Sequence, residues 1–236
     1  MKIIYKNKEI TSCDDWRDTI FLKTNKAKHW KKGRSAYSLA DFIMNENGEE
    51  IIKNKVADIL SEKITFNEAF PEYEVRFDKF GHGREHDLGI FGTTESGKSV
   101  FIGLEAKVDE TFGDKISDAY IKAKVKELNK EATNAPERIE NLLTKHFKKI
   151  TKSIFDLPYQ LLFSTVGTIS EKADIHILFV IVFETKSYNI EKGKSNYKDY
   201  VKFFNKLDAK ELKSKEKAYK VNIDGKELIS VYMSIP

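Results

Sequence analysis

The longest uninterrupted apolar stretch of the chain runs from Ile177 to Phe183 and is rich in β-branched residues. A bilayer-spanning helix needs about 20 apolar residues, so a run of this length predicts no membrane segment. Continuous apolar character over so short a length is typical of a strand in the interior of a protein. The segment from Ile175 to Phe183 is therefore predicted to be a buried strand.

The rest of the chain is divided by its apolar periodicity and its turn residues. Three strands are predicted in succession, at Tyr73–Phe77, Asp87–Phe91 and Val100–Val108. Helices are predicted around them, from Ser35 to Gly48, Glu49 to Lys63, Thr111 to Lys130, Pro136 onward, Pro158 to Glu171, and Tyr197 to Leu207. A hairpin around Asp224-Gly225 closes the chain. This order predicts an α/β (α+β) fold with a mixed central β-sheet flanked by helices.

One domain of 236 residues is expected, because no linker, repeat or low-complexity segment interrupts the pattern. We divide it into a helical N-terminal part (1–60), a core (60–185), and a C-terminal helix and β-hairpin (186–236). A lone Cys13 excludes a disulfide framework and a cysteine zinc cage. The N-terminus carries no apolar leader, so a cytoplasmic protein is expected.

The net charge of +4 is too small to indicate a partner, but its distribution is uneven. No acidic residue occurs from Thr19 to Ala40, and a second acid-free stretch runs from Asn141 to Phe155. Basic clusters that include an aromatic residue suit a phosphate backbone, although a solvated lysine face is equally compatible with them. The candidates for nucleic-acid contact are Trp30, Lys31, Lys32, Arg34 and Ser35.

Two short motifs suggest chemistry that their context disfavours. The segment from Gly92 to Ser99 fits the P-loop pattern, but the residues after Ser99 alternate as a strand rather than forming the required helix. His82, Glu85 and His86 fit a zinc motif that works only on a helix, whereas strands are predicted on both sides. We expect His86 and His146 to be surface residues, and His176 to lie in the core or at a strand edge.

The strands around this false P-loop are predicted to pair as an antiparallel hairpin centred on Ser96. Like residues then meet: Phe91 opposes Phe101, Gly89 opposes Gly103, and Asp87 opposes Glu105. One face carries apolar side chains throughout and is expected to face the core; it comprises Leu88, Ile90, Val100, Ile102, Leu104, Ala106 and Val108. The other face carries Asp87, Glu105 and Lys107, with the two glycines expected to leave room for a substrate.

Opposed carboxylates repel unless one is protonated or a cation lies between them. Mg²⁺ is a hard cation that prefers such oxygen ligands. A lysine on the same face, at Lys107, can orient a water molecule or neutralise charge on a phosphate. A surface ion-pair cluster is the alternative interpretation of these three residues.

The pattern Asp87…Glu105-Ala106-Lys107 resembles the PD-(D/E)XK nuclease superfamily, with its restriction-endonuclease-like fold, over residues 60 to 185. The strings from His29 to Ala36 and from Glu105 to Gly113 are similar to an uncharacterised bacterial family within it. His86 replaces the proline of the motif. The resemblance implies Mg²⁺ ligands at Asp87, Glu105 and the Ala106 carbonyl, with Lys107 acting on the attacking water.

Further site residues are implied only by this resemblance. A glutamate from the preceding helix often joins such sites, and here the choice stays open among Glu49, Glu50, Glu62 and Glu68. Gln160 and Glu110 are additional candidates.

The activity implied is Mg²⁺-dependent endonuclease cleavage of DNA, with Mn²⁺ able to substitute for Mg²⁺. A role in restriction, phage defence or repair is implied too, with a homodimer if both strands are cut. RNA cleavage and a non-cleaving nucleic-acid-binding module remain alternatives, and a P-loop NTPase is a remote one.

Overall fold

A computed structural model describes residues 1–24, 26–212 and 217–236. Its strands are β1 (Lys2–Tyr5), β2 (Lys8–Glu9), β3 (Ile64–Val75), β4 (Arg84–Thr94), β5 (Ser99–Lys107), β6 (Ile175–Phe183), β7 (Lys210–Leu212), β8 (Ala218–Ile223) and β9 (Lys226–Ile235). Its α-helices are α1 (Cys13–Trp16), α2 (Ser35–Asn45), α3 (Gly48–Leu60), α4 (Ile116–Leu128), α5 (Ala135–His146), α6 (Tyr159–Ser170) and α7 (Ile190–Lys206). A π-helical turn continues α1 over Arg17–Phe21.

The strands form a single mixed sheet in the order β2-β1-β3-β4-β5-β6-β9-β8-β7. Strands β3, β4 and β5 are an antiparallel meander, whereas β5, β6 and β9 run parallel to one another. The parallel step from β5 to β6 uses the segment that contains α4, α5 and α6, as a parallel connection requires a crossover. The predicted mixed central sheet flanked by helices is confirmed.

The strand β6 is buried on both of its faces, which explains its continuous apolar sequence. Ile177, Phe179 and Ile181 belong to one core cluster, together with residues of α2 and α3. Leu178 and Val180 belong to a second cluster, together with residues of α5, α6 and α7. Helices therefore cover the sheet on both faces, and only a strand with apolar side chains on both sides fits between them.

Several predicted boundaries are wrong because local signals compete. The part before residue 60 is not only helical, since β1 pairs in parallel with β3. Strand β3 begins at Ile64, whereas the prediction started it at Tyr73. Helix α7 begins at Ile190, seven residues before its predicted start, and Asn189 is its N-cap. Gly48 opens α3 instead of ending α2, and the left-handed residue between the two helices is Asn47. A Cβ on Gly48 would lie 2.5 Å from the Phe42 ring, so glycine is required by this contact. Thr111 does not start a helix, since α4 begins at Ile116.

Within the ranges that the structure describes, none of the helices has both the length and the apolar character needed to cross a membrane.

Candidate active site

The β4–β5 hairpin has two of the three predicted pairs, and the third, Asp87 with Glu105, lies just beyond the end of the ladder. Gly89 lies opposite Gly103 and Phe91 opposite Phe101, and the ladder continues to Leu88 and Leu104. The apolar face also packs as predicted, and its seven residues all lie in the core cluster beneath α2 and α3. The hairpin therefore carries Asp87 and Glu105 to its open end, where β4 and β5 leave their paired register.

The alternation of side chains along β4 breaks at Asp87. Leu88 faces the core cluster on one side of the sheet, yet His86 lies on the opposite side, against Phe101 and Glu105. A matching irregularity occurs on β3, where Glu72 has a left-handed φ of 51° between Pro71 and Tyr73. The two breaks face each other across the ladder, because Pro71 pairs with Leu88 and Tyr73 with His86.

The space beside the two glycines is filled by this protein's own side chains. A Cβ on Gly89 would lie 2.7 Å from the Tyr73 ring, and one on Gly103 would lie 2.7 Å from both His86 and Thr168. The prediction that these glycines leave room for a substrate is therefore wrong. They allow Tyr73, His86 and α6 to approach the sheet closely.

Glu105 is only 1% exposed and is held by three neighbours. The Ser164 hydroxyl and His86 Nδ1 both lie 2.9 Å from Oε1, and Gln160 Nε2 donates to Oε2 over 2.6 Å. Burial alone would raise the pKa of Glu105, but the hydrogen bond and charge of His86, with the charge of Lys107, bring it below its usual value. Glu105 is thus an ionised carboxylate, and His86 must be the donor in their contact.

Asp87 lies beside Glu105 in the opposite electrostatic situation. Its Oδ2 accepts a hydrogen bond from the Ala106 amide over 2.7 Å. Burial, and then the charge of Glu105, raise the pKa of Asp87 to about 8, against the lowering effect of Lys107. Two carboxylates that repel in this way hold a cation or a proton between them at neutral pH.

Lys107 completes the predicted trio and is 6% exposed. Its Nζ lies 5.6 Å from the centroid of the Phe112 ring, and its charge lowers the pKa of both Asp87 and Glu105. Within the residues that the structure describes, Lys107 Nζ makes no ion pair within 4 Å. A buried ammonium beside two carboxylates is suited to orienting a water molecule or an anionic oxygen.

Helix α6 supplies the part of the site that sequence reasoning mostly missed. Gln160, Ser164 and Thr168 recur every four residues and so share one helical face, which lies over the open end of the hairpin. Gln160 was predicted as a site residue and does contact Glu105. Ser164 and His86 were not predicted, although the four-residue spacing of Gln160, Ser164 and Thr168 was available as a signal for Ser164.

Two of the histidine predictions are wrong. His86 is 2% exposed and bonded to Glu105, and His146 is buried between Leu142 and Thr165 rather than at the surface. Burial lowers the pKa of His146 to about 4, so it is neutral. His176 lies in the buried strand β6, as predicted.

Glu72 is an acidic residue near the site that the sequence did not single out. It lies on β3 between the residues that pair with Leu88 and His86, and its charge contributes to the raised pKa of Asp87. Burial also raises the pKa of Glu72, although Lys26 lies 2.5 Å from its carboxylate and opposes this. The predicted late start of β3, at Tyr73, left Glu72 outside the strand and hid this placement.

The four glutamates proposed for the preceding helix have other contacts. Glu49 binds the N-terminal amine at 2.7 Å, Glu50 pairs with Lys53, and Glu62 accepts from the Ser96 amide at the turn end of the hairpin. Glu68 is exposed on β3, opposite Phe91. Glu110 accepts hydrogen bonds from the Val108 amide and the Ser35 hydroxyl, which places it beside Lys107 rather than beside Asp87.

The N-terminal basic stretch and the segment after Lys107 are in contact. Arg34 forms an ion pair with Asp109, and the Ser35 hydroxyl donates to Glu110 over 2.9 Å. Trp30 packs against Phe21 with ring centroids 5.0 Å apart. Of the five predicted nucleic-acid contacts, Lys31 and Lys32 are the two exposed residues.

The structure also bears on the two disfavoured motifs. The residues that follow the P-loop-like segment form β5, which starts at Ser99, so no helix follows to cradle a phosphate. His86 lies within β4, and the helix required by the zinc motif is absent there.

The donor set suits a divalent cation bound by oxygen. Over the described ranges, no group of three or more His, Cys, Asp or Glu side chains forms a metal site. The candidate ligands are instead two carboxylates and the backbone carbonyl of Ala106. Glu105 Oε2 accepts one hydrogen bond, from Gln160, and keeps a lone pair for a metal. All these donors are hard oxygens, the type that Mg²⁺ prefers.

Comparison with known proteins places the chain in a family without assigning an activity. No curated protein and no solved structure matches it. One family model, described as a domain of unknown function (DUF6946), matches residues 9–236, which is nearly the full length. The chain therefore belongs to the DUF6946 family.

Proposed function

We propose that this protein is a Mg²⁺-dependent endonuclease that hydrolyses phosphodiester bonds of DNA. The observation that carries the proposal is the arrangement at the open end of the β4–β5 hairpin. Asp87 and Glu105 are close enough for the charge of Glu105 to raise the pKa of Asp87, and buried Lys107 lies beside both. Holding two repelling carboxylates side by side lowers the stability of the fold, and strongly shifted pKa values of this kind are typical of functional sites.

The metal ligands would be Asp87, Glu105 and the Ala106 carbonyl. When bound there, Mg²⁺, or Mn²⁺ in its place, supplies Lewis-acid chemistry that makes a water molecule a better nucleophile and stabilises charge on the phosphate. The hydrogen bonds from His86, Ser164 and Gln160 fix the orientation of the Glu105 carboxylate and keep it ionised. Fixed partners of this kind commonly orient a metal ligand.

Lys107 has a separate role in the proposed reaction. Its ammonium is held at a buried position by the β5 backbone and the Phe112 ring. From there it can donate to the attacking water or to a non-bridging phosphate oxygen, whose negative charge grows as the bond to water forms. One site of this kind cuts one strand, so duplex cleavage takes two copies of the chain or two successive events.

The proposal is tested by incubating the protein with plasmid DNA, single-stranded DNA and RNA in Mg²⁺, Mn²⁺ or EDTA. We expect DNA cleavage in either metal and none in EDTA. Asp87→Ala should abolish cleavage. Glu95→Ala is the matched control, because Glu95 is an exposed acid in the turn of the same hairpin.

Three results would count against the proposal. Absence of metal-dependent cleavage with every substrate would exclude a nuclease. Cleavage of RNA alone would show that the substrate is RNA rather than DNA, and the assigned site would stand. Cleavage that persists in Asp87→Ala would show that the reaction takes place elsewhere in the protein.

A further inference from the structure

A row of lysines follows the outer side of α7. Lys194, Lys198, Lys202 and Lys206 recur every four residues. In an α-helix that spacing advances about 6 Å along the axis and about 40° around it per step, so the row is about 18 Å long. The opposite side of α7 is buried and holds Gly193, Asn196, Tyr200, Phe203 and Phe204. The lysine side is thus fixed by the packing of the helix.

The start of α7 lies beside the segment that leaves the candidate active site. Asn196 Nδ2 donates to the Glu110 carbonyl over 2.7 Å, and Lys192 Nζ lies 3.7 Å from Asp109 Oδ2. Only one residue separates Lys107 from Asp109, and Glu110 comes next. A polymer that runs along α7 would therefore reach the residues next to Lys107.

The charge of this surface is largely uncompensated. Helix α7 contains five lysines and two acids. Glu191 pairs with Lys194 at 3.0 Å, and Asp199 is half-buried. Within the described ranges, Lys198, Lys202 and Lys206 make no ion pair within 4 Å. They border a shallow groove of about 570 Å³, whose apolar floor includes Val201.

Two of the six cations in the N-terminal basic stretch are paired with acids. Arg34 is paired with Asp109, and Lys26 lies between Glu72 and Glu85, 2.5 Å from each carboxylate. These cations would have to leave an acidic partner before they bound a phosphate. Lys198, Lys202 and Lys206 require no such exchange, and their regular spacing along one helix places them in line for successive phosphates.

We propose that the α7 lysine row is the surface that binds the phosphate backbone of the DNA substrate and leads it to the candidate active site. This inference rests on the proposed nuclease function and adds the binding surface. At 3.4 Å per nucleotide along each strand, the row spans about five base pairs of a duplex. Lysines that neutralise phosphates release counterions, so binding should depend steeply on salt.

The test compares two triple variants with the same loss of charge. K198Q/K202Q/K206Q removes three of the four lysines of the row and keeps Lys194, which is paired with Glu191. K145Q/K148Q/K149Q removes three exposed lysines of the second acid-free stretch and serves as the matched control. Binding of a fluorescent 20-base-pair DNA duplex is measured by anisotropy in EDTA, so that cleavage cannot interfere, from about 50 to about 200 mM salt. Circular dichroism and thermal melting confirm that each variant is folded.

We expect the α7 variant to bind at least tenfold more weakly than the wild type at the low-salt end. The slope of log K against log salt should become less negative by about 2–3, since each lost phosphate contact contributes about 0.9 to its magnitude. The control should keep the wild-type affinity and slope. The inference is overturned if the α7 variant binds like the wild type, or if the control loses as much affinity.

The two proposals can fail separately. DNA cleavage in Mg²⁺ combined with wild-type binding by the α7 variant would overturn the binding surface and leave the nuclease in place. Binding lost in the α7 variant, without cleavage of any substrate by the wild type, would support the surface and overturn the nuclease. A wild-type protein that does not bind DNA at all would overturn both.

Discussion

Acidic side chains lie at both ends of the β4–β5 hairpin, but in contrasting surroundings. At the turn end, Glu62 accepts from the Ser96 amide, and Asp174 accepts from the amide and hydroxyl of Ser99. These hydrogen bonds lower the pKa of both acids. At the open end, burial and Glu105 raise the pKa of Asp87 to about 8.

This contrast separates acids that stabilise the fold from acids whose ionised form destabilises it. Glu62 and Asp174 satisfy backbone donors in solvent and remain ionised with little penalty. Asp87 is held next to the buried carboxylate of Glu105, where its ionised form is unfavourable in the absence of a cation. A fold under selection for stability alone has little reason to keep such a pair, which is why we assign the chemistry to the open end.

In this comparison, the largest expected effect on the cleavage rate comes from replacing the lysine at one end or the other. Lys107→Met keeps most of the volume of the side chain but removes its charge, and it should lower the rate of DNA cleavage by about 10²–10⁴-fold. Lys98→Met makes the same change in the exposed turn, and its rate should match the wild type. Rates are measured under single-turnover conditions in saturating Mg²⁺. Equal losses in the two variants would remove the distinction between the ends.

A smaller effect is expected from the groups that hold the carboxylates. His86→Asn removes the ring that contacts Glu105, and loss of such a partner typically lowers metal affinity or activity by about 10–100-fold. Ser99→Ala removes one hydroxyl donor to Asp174 at the turn end and should leave cleavage unchanged. The concentration of Mg²⁺ at half-maximal rate is measured for both. If His86→Asn keeps the wild-type value, the ring does not position Glu105.

The smallest effect concerns stability without metal, and it should have opposite signs at the two ends. The folded pKa of Asp87 is about 8 and its usual value is 3.8, so between these values the folded state binds more protons than the unfolded chain. The free energy of unfolding then falls as the pH rises across this window. Asp87→Asn should therefore melt higher than the wild type in EDTA, by a margin that grows from pH 4 to pH 8. Each kcal/mol raises the melting temperature by about 2–4 °C.

Glu62→Gln provides the opposite case, because the pKa of Glu62 is lowered in the folded state. The stabilisation by Glu62 is present above its usual pKa and is lost in acid, so this variant should melt slightly lower than the wild type at pH 7. Mg²⁺ should raise the melting temperature of the wild type and of Glu62→Gln, but not that of Asp87→Asn. An Asp87→Asn variant that melts lower than the wild type at pH 8 in EDTA would contradict the assigned repulsion.

Local pattern was enough to predict the hairpin and the three residues at its open end. A short polar turn between two alternating segments sets their register, and the apolar face sets which side chains point to the core. The pairing of Gly89 with Gly103 and of Phe91 with Phe101 follows from these local constraints. The buried strand Ile175–Phe183 was predicted for a similar reason, since its composition fits only a position between two layers.

The surroundings of the site could not be predicted in the same way. The side-chain alternation on β4 breaks at Asp87, where a matching break on β3 faces it, and no rule of period 2 anticipates such a pair of irregularities. The break moves His86 from the expected surface to Glu105. The space that the glycines were expected to offer a substrate is taken by Tyr73, His86 and Thr168.

The sequence by itself determined the order of strands β3 to β6 and of helices α2 to α7, the register of the hairpin, and the presence of Asp87, Glu105 and Lys107 at one end of it, because these depend on neighbours close along the chain. Only the tertiary structure decided which distant groups surround them. Glu72 comes from β3, Gln160 and Ser164 from α6, and the contact to Glu110 from α7. Contacts between such distant residues depend on how helices pack on the sheet, and the burial that raises the pKa of Asp87 arises from that packing.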